Sequence, residues 1–279
     1  MNDPVDALRR QAQHLVDSTG VGSSRLAALT DHQVVAMLIC PYFRSLQNCV
    51  GTPHVVDVGA AYGSIAELFL RDGWTADFFE PDPTCQQVLT RLLSTYVGRC
   101  RLFPFAVANR NCQSALLQQN ATPGLSGLAP SPFGATKAVI PVRCIHLGNF
   151  LLEQKTPRVD FLKIDTEGTD FEVLKSHSFD RLPPKLIFVE YSFYFPDQSP
   201  DLIRNATCSM AERGFSSIIF DYEDDGNFQK GNWTHRLTAI HLDNRHLPNR
   251  ANSFGNILFY RHNDIHLLQT LMALVKMLC

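Results

Sequence analysis

The stretch Val55-Val-Asp-Val-Gly-Ala-Ala-Tyr-Gly63 constrains this chain most. A β-branched run ends in Asp57-x-Gly59, and Gly63 then opens a helical stretch, Ser64–Arg71. Glycine at such a turn lets the backbone approach a ligand closely, and the helix start offers free N–H groups and a positive dipole end. The pattern repeats downstream. Short β-rich runs at His54–Val58, Ala76–Glu80, Arg101–Val107, Val159–Asp165, Lys185–Glu190 and Phe215–Phe220 alternate with helical stretches. Beyond Ser64–Arg71, the helical partners are Thr84–Tyr96, Asp170–Ser176 and Asp201–Arg213. Alternation of this kind predicts an α/β fold with helices on both faces of a mostly parallel, seven-stranded sheet. Asn256–Arg261 follows the sixth strand without a clear helix between, which suits a late antiparallel strand.

The flanks differ in character. From about Val5 to Gln47 the apolar residues keep helical spacing: Leu8, Ala12, Leu15 and Val16, then Val34, Val35, Leu38 and Ile39. Asp31 is placed to cap the second of these helices. Gly51-Thr-Pro53 breaks the pattern, so residues 1–50 read as a helical extension, 51–262 as the α/β domain and 263–279 as a C-terminal helix. Leu116–Arg143, with Gly124, Gly127 and Gly134, reads as loops plus one short strand at Ala138–Val142. Asp221–Ser253 is polar and irregular, carries the acidic run Tyr222–Asp225 followed by Trp233 and His235, and reads as a lid insertion. Ile265–Leu278 has apolar residues at 268, 271, 272, 275 and 278, the stripe of a helix that docks on its own domain or on a second copy in a homodimer.

Composition narrows the function classes. In 279 residues, 45% are hydrophobic and 19% charged, which is the range of an ordinary folded protein. A net charge of −2 with scattered Lys and Arg gives no basic stripe for nucleic acid. No apolar run is long enough for a bilayer span, and the start lacks the apolar core of a secretory signal. None of the eight cysteines forms a C-x-x-C pair or sits at zinc-ligand spacing from a His pair, so they read as reduced thiols of a cytoplasmic protein and no metal is assigned. The sequons at Asn205 and Asn232 carry little meaning in such a protein.

The chemistry starts at the glycine turn. Ala61 stands where the dinucleotide fingerprint G-x-G-x-x-G has its second glycine, so a pyrophosphate would approach poorly and a zwitterionic amino-acid tail fits better. Asp57 would meet that tail's ammonium group, directly or through water. Glu80, in Asp77-Phe-Phe-Glu-Pro-Asp82, ends the second strand roughly twenty residues on, where an acidic side chain accepts two hydrogen bonds from a ribose diol. Its bland alternative is a cap on the following helix.

Arg158-Val-Asp-Phe-Leu-Lys-Ile-Asp-Thr-Glu-Gly-Thr-Asp-Phe-Glu-Val-Leu-Lys175 resembles the signature of the FkbM family of methyltransferases, a strand ending in K-I-D-x-E-G that enters a helix reading E-x-x-V-L. The glycine turn, Phe79–Asp82 and Phe105–Asn109 resemble that family in order and spacing, over roughly Val55 to Tyr191. Two departures stand out. Ala61 replaces a common Asn, and Thr169-Asp170 replaces an aromatic-acidic pair. The resemblance implies a class I, Rossmann-like methyltransferase fold, S-adenosylmethionine as donor, and O-methylation of a sugar or other secondary metabolite. It implies that Asp57, Gly59, Ala60 and Gly63 hold the methionine portion, that Glu80, Pro81 and Asp82 hold the ribose, and that Phe105, Ala106 and Val107 lie by the adenine. Asp165 sits where donor and acceptor meet. The candidate bases are Asp165, Glu167, Glu190 and His235, with Asp165 favoured for its rigid strand end. Asp165, Glu167 and Glu190 are also an oxygen-rich group of the kind that takes Mg²⁺, although such carboxylates are commonly solvated or paired. Phe193, Tyr194 and Phe195 line either the core or an acceptor pocket, and His177, His241 and His246 read as packing or surface residues. Two rivals remain: an NAD-dependent oxidoreductase, opposed by the broken glycine fingerprint, and a methyltransferase-like binding protein without catalysis.

Overall fold

A computed structural model describes residues 4–46, 51–119, 123–132, 135–224, 235–242, 247–248 and 253–278. The chain divides into two units: Cys49–Glu190, and Met1–Asn48 together with Tyr191–Cys279. The second unit opens with α1 (Pro4–Thr19), α2 (Asp31–Val34) and α3 (Cys40–Ser45), the last two joined through one π-helical turn, Val35–Ile39. Thr30, rather than Asp31, caps α2. Its hydroxyl accepts from Gln33 N while Gln33 Oε1 accepts from Thr30 N, a reciprocal capping box. Asp31 is instead the first helical residue, where its carboxylate meets the positive end of the dipole.

In Cys49–Glu190 the first sheet starts with β1 (His54–Val58), β2 (Thr75–Phe79) and β3 (Cys100–Phe103), connected by α4 (Ser64–Arg71) and α5 (Pro83–Leu93). Next come β4 (Ala106–Ala108), β5 (Cys112–Gln119) and β6 (Thr136–His146), which form a separate sheet in the order β4-β6-β5. After α6 (Leu147–Glu153), the chain returns to the first sheet with β7 (Phe161–Ile164), α7 (Asp170–Ser176) and β8 (Leu186–Ser192). Among the described residues this gives five parallel strands in the order β3-β2-β1-β7-β8. Every residue of β1 and β7 is buried, as central strands covered on both faces require. The register sets Asp57 of β1 opposite Lys163 of β7, so the two side chains emerge side by side.

Two expectations change here. The run Arg101–Val107 is two strands rather than one, because Pro104 has no N–H for a ladder, and Ala106–Ala108 pairs with β6 instead. Both ends of Leu116–Arg143 are strand as well: β5 and β6 pair antiparallel from Cys112 opposite Cys144 to Gln119 opposite Thr136. The expected Ala138–Val142 strand is the middle of β6.

The other unit continues with α8 (Pro200–Glu212), β9 (Phe215–Asp224), β10 (His235–His241), β11 (Phe254–Arg261) and α9 (Ile265–Leu278). The three strands are antiparallel in the order β10-β9-β11. The late antiparallel strand is therefore β11. Two parts of the expected lid are strand: β9 runs on to Asp224, and His235–His241 is β10. Residues 225–234, 243–246 and 249–252 of that stretch, with Trp233 and His246, lie outside the described residues. α9 packs on α1 and buries Leu267, Leu268, Leu271, Leu274 and Val275. Arg9 of α1 donates from Nε to Tyr260 Oη at 3.1 Å and from Nη2 to Ser216 Oγ at 2.9 Å, fastening the helix to β11 and β9. Among the described residues no helix is long and apolar enough to cross a membrane.

Candidate active site

Open α/β sheets bind ligands beyond the carboxyl ends of their strands. Here a cleft lies at those ends. Gly59 closes β1, Phe79 and Glu80 close β2, and Asp165 to Glu167 follow β7. Phe105 to Val107 and Leu116 supply an apolar wall from the second sheet. Gly59 has a φ of +70° and donates to Phe79 O at 2.9 Å. A Cβ there would come within 1.7 Å of Asp165 O, so only glycine lets the ends of β1 and β7 meet.

The turn after β1 aims Glu80. Ala61 N donates to Glu80 Oε2 and Asp82 N to Oε1, both at 2.7 Å. Burial pushes this carboxyl up to about 7, against the pull of those two N–H groups. Glu80 does not cap the next helix. That role belongs to Asp82, whose Oδ1 accepts from Thr84 N at 2.7 Å.

The floor beside Asp165 is acidic around one cation. Lys163 Nζ lies 3.2 Å from Asp57 Oδ1 and 3.3 Å from Asp165 Oδ2, and it donates to Gly59 O at 2.5 Å. Burial opposes its charge, but the Asp165 and Asp57 carboxylates outweigh burial and hold the ammonium well above its ordinary value. Burial raises Asp57 in turn, with Lys163 opposing. Burial first, then Asp165 and its acidic neighbours, pushes Glu167 and Glu190 well above the usual carboxylate range. Asp170 is pinned in the turn. Thr166 N donates to it at 2.6 Å, Thr166 Oγ1 at 3.0 Å and Gly168 N at 3.2 Å, and burial lifts it to about 6. Oxygens of Asp165, Asp170 and Glu190 lie within 4.8 Å of one another, so these three are where a cation could sit.

Of the residues singled out from sequence, Gly59, Glu80, Pro81, Phe105, Ala106, Val107, Asp165 and Glu167 share this cleft. Glu190 stands behind it, beside Asp165. Asp57 does not line it: only 1% exposed, its carboxylate faces Lys163. Nor does buried Ala60. Gly63 opens α4 against Leu89 and Leu92 of α5, and buried Asp82 faces the protein. His235 belongs to the other unit, on β10, edge-on to Tyr222 and Phe254. There Phe195 is buried and Tyr194 packs at 6.3 Å from Phe254. His177 is a buried packing residue whose Nε2 lies 2.7 Å from Leu182 O. Sequence reasoning missed Lys163 as a site residue, although a lone lysine inside the apolar run Phe161–Ile164 was the available signal. It also missed Thr166 and Thr169, which line the cleft from a turn without a periodic pattern.

No curated protein matches the chain. Among solved structures, precorrin-6y C5,15-methyltransferase from Geobacter metallireducens is similar at 12% identity and a TM-score of 0.40, over 84% of this chain and 92% of that one. The fibrillarin/Nop5p complex is similar at 12% identity and a TM-score of 0.38, over 79% of this chain and 82% of that one. The family model of the methyltransferase FkbM domain matches residues 57–217, more than half of the chain. With that match over the strand-end cleft and its Lys163-Ile-Asp-Thr-Glu-Gly168 turn, the chain belongs to the FkbM methyltransferase family.

Proposed function

We propose that this protein transfers a methyl group from S-adenosylmethionine to a hydroxyl oxygen of a small molecule, a sugar or secondary metabolite. The observation that carries the reading is Glu80, a buried carboxylate aimed by two backbone N–H groups into a cleft with an apolar far wall. A diol-accepting carboxylate facing an apolar slot fits an adenine nucleoside. Glu80 would take the ribose hydroxyls, and Phe105 to Val107 with Leu116 would flank the adenine. The backbone at Gly59 and Thr166 would border the amino-acid end. When bound, S-adenosylmethionine supplies a methyl group already activated on a sulfonium.

The protein's own tasks are then alignment, exclusion of water and removal of one proton. Asp165 is the proton acceptor in this reading. Its side chain is 28% exposed in the cleft, with the Lys163 ammonium beside it as countercharge. Glu167 and Glu190, whose proton affinity burial and Asp165 push upward, are weaker candidates in this reading. A positioned base contributes about 10²–10⁴-fold in rate.

Calorimetry with S-adenosylhomocysteine and with NAD tests the donor. Binding of the first supports the reading, and binding of NAD alone transfers the protein to the oxidoreductases. Turnover is followed as S-adenosylhomocysteine release with a panel of sugars and polyketide alcohols. Asp165→Asn is expected to keep donor affinity within about threefold and to lose at least about tenfold in methyl transfer. Undiminished turnover would remove Asp165 from the mechanism.

A further inference from the structure

Asp82 is completely buried, and what surrounds it is protein. Gln118 Nε2 donates to its two carboxylate oxygens at 3.1 and 3.2 Å and to Thr84 Oγ1 at 3.2 Å. Ser126 Oγ donates to Asp82 Oδ2 at 2.8 Å, and Gln119 N donates to the same serine oxygen at 3.3 Å. These partners come from β5 and from residues 124–128, a strap that forms one side of the cleft through Gly124, Ser126, Gly127 and Leu128. The strap is held at two more points. Leu117 N donates to Gly127 O at 2.9 Å, and Gly127 lies so close to the β7–α7 turn that a Cβ would come within 2.7 Å of Glu167 O. Gly124 rests on Ala61 and Tyr62 of the turn after β1.

A buried carboxylate is tolerated only when its oxygens are satisfied, so the strap's hydroxyl and the Gln118 amide are conditions for Asp82 to stay where it is. Asp82 N in turn donates to Glu80 Oε1. The strap is thereby coupled, through one residue, to the carboxylate proposed to hold the ribose.

We propose that Gln118, Ser126 and Asp82 form a latch that fixes the 124–128 strap beside the adenosine half of the bound donor, and that this latch governs how fast an adenine nucleoside leaves the cleft. The three are positioning residues. They act through Glu80 and the strap backbone, and the inference rests on the donor reading above.

The test uses the full chain and S-adenosylhomocysteine, with adenosine as a second probe. Ser126→Ala and Gln118→Leu are each expected to raise the dissociation rate of both ligands at least tenfold. Ser126→Thr, which keeps the hydroxyl, is expected to stay within threefold of the parent. Because both donors converge on Asp82, the double variant should add little to either single one. In the unliganded protein, hydrogen exchange at Leu117 N should quicken in Ser126→Ala. Unchanged dissociation rates, equal losses in the Ala and Thr variants, or unaltered Leu117 exchange would each overturn the latch. If the parent binds S-adenosylhomocysteine while the variants leave as slowly as the parent, the latch alone fails. If the parent binds neither ligand, the donor reading fails and takes the latch with it.

Discussion

At Glu80 the protein tolerates a buried carboxylate whose proton affinity has risen from an ordinary 4.5 to about 7. The sign of the consequence follows from linkage. A carboxyl raised on folding penalises the folded state once it is ionised, so the penalty is full above pH 7 and fades as pH falls toward 4.5. The melting temperature of Glu80→Gln, whose amide offers one acceptor oxygen to two N–H groups, is therefore expected to climb relative to the parent's as pH rises from 4.5 to 7, while the variant binds S-adenosylhomocysteine at least about tenfold more weakly through the lost charged acceptor. A difference that stays constant with pH would contradict the burial argument. His177 has the opposite sense. Burial lowers it to about 4, so the neutral ring's contribution is intact above pH 6.5 and is lost as pH falls through 4. Replacing it with Gln should flatten the fall in urea midpoint between those values. Lys163 and Asp82 show where reading single residues from sequence stops. Both are charged residues in or beside the expected motifs, yet their partners, Asp57 across a strand pair and Ser126 between β5 and β6, are set by register and by a turn that no local pattern announces.

Among the elements, those that were legible are a short apolar run or bury one face at helical spacing. β1 is such a run, buried throughout, and α4, α7 and α9 lie where helical spacing puts an apolar face on a core. β5 and β6 were not legible. Along β6 the buried positions come only toward its end, and the outer half alternates weakly between exposed and half-buried residues, so polarity read as loop. The break at Pro104 was visible as a residue but not as a change of sheet, since the partner of Ala106–Ala108 lies well downstream at Cys144–His146. Arg9 ties α1 to Tyr260 and Ser216, so Arg9→Met leaves two hydroxyls with one partner fewer. The expected loss is about 1–3 kcal/mol, measured as a lower urea midpoint with an unchanged slope. No loss would mean that α1 is held by its apolar face alone.

For the molecule as a whole, the residues lining the cleft all fall within Cys49–Glu190. Adding S-adenosylhomocysteine at about one hundred times its dissociation constant is expected to stabilise the folded protein by about 2.7 kcal/mol. The added hydrogen-exchange protection should concentrate in that unit, and protection found only in Tyr191–Cys279 would place the donor elsewhere. The division into units also orders events at the ribosome. Cys49–Glu190 is one uninterrupted segment and can gather its own core as soon as it has emerged. The helices before it emerge earlier than that segment, yet their unit is completed only by Tyr191–Cys279, so α1 meets α9 only after all of Cys49–Glu190 has been made. While Cys49–Glu190 is being made, the nascent chain thus carries the apolar faces of α1 to α3 uncovered, a span in which chaperones rather than native neighbours must shield them.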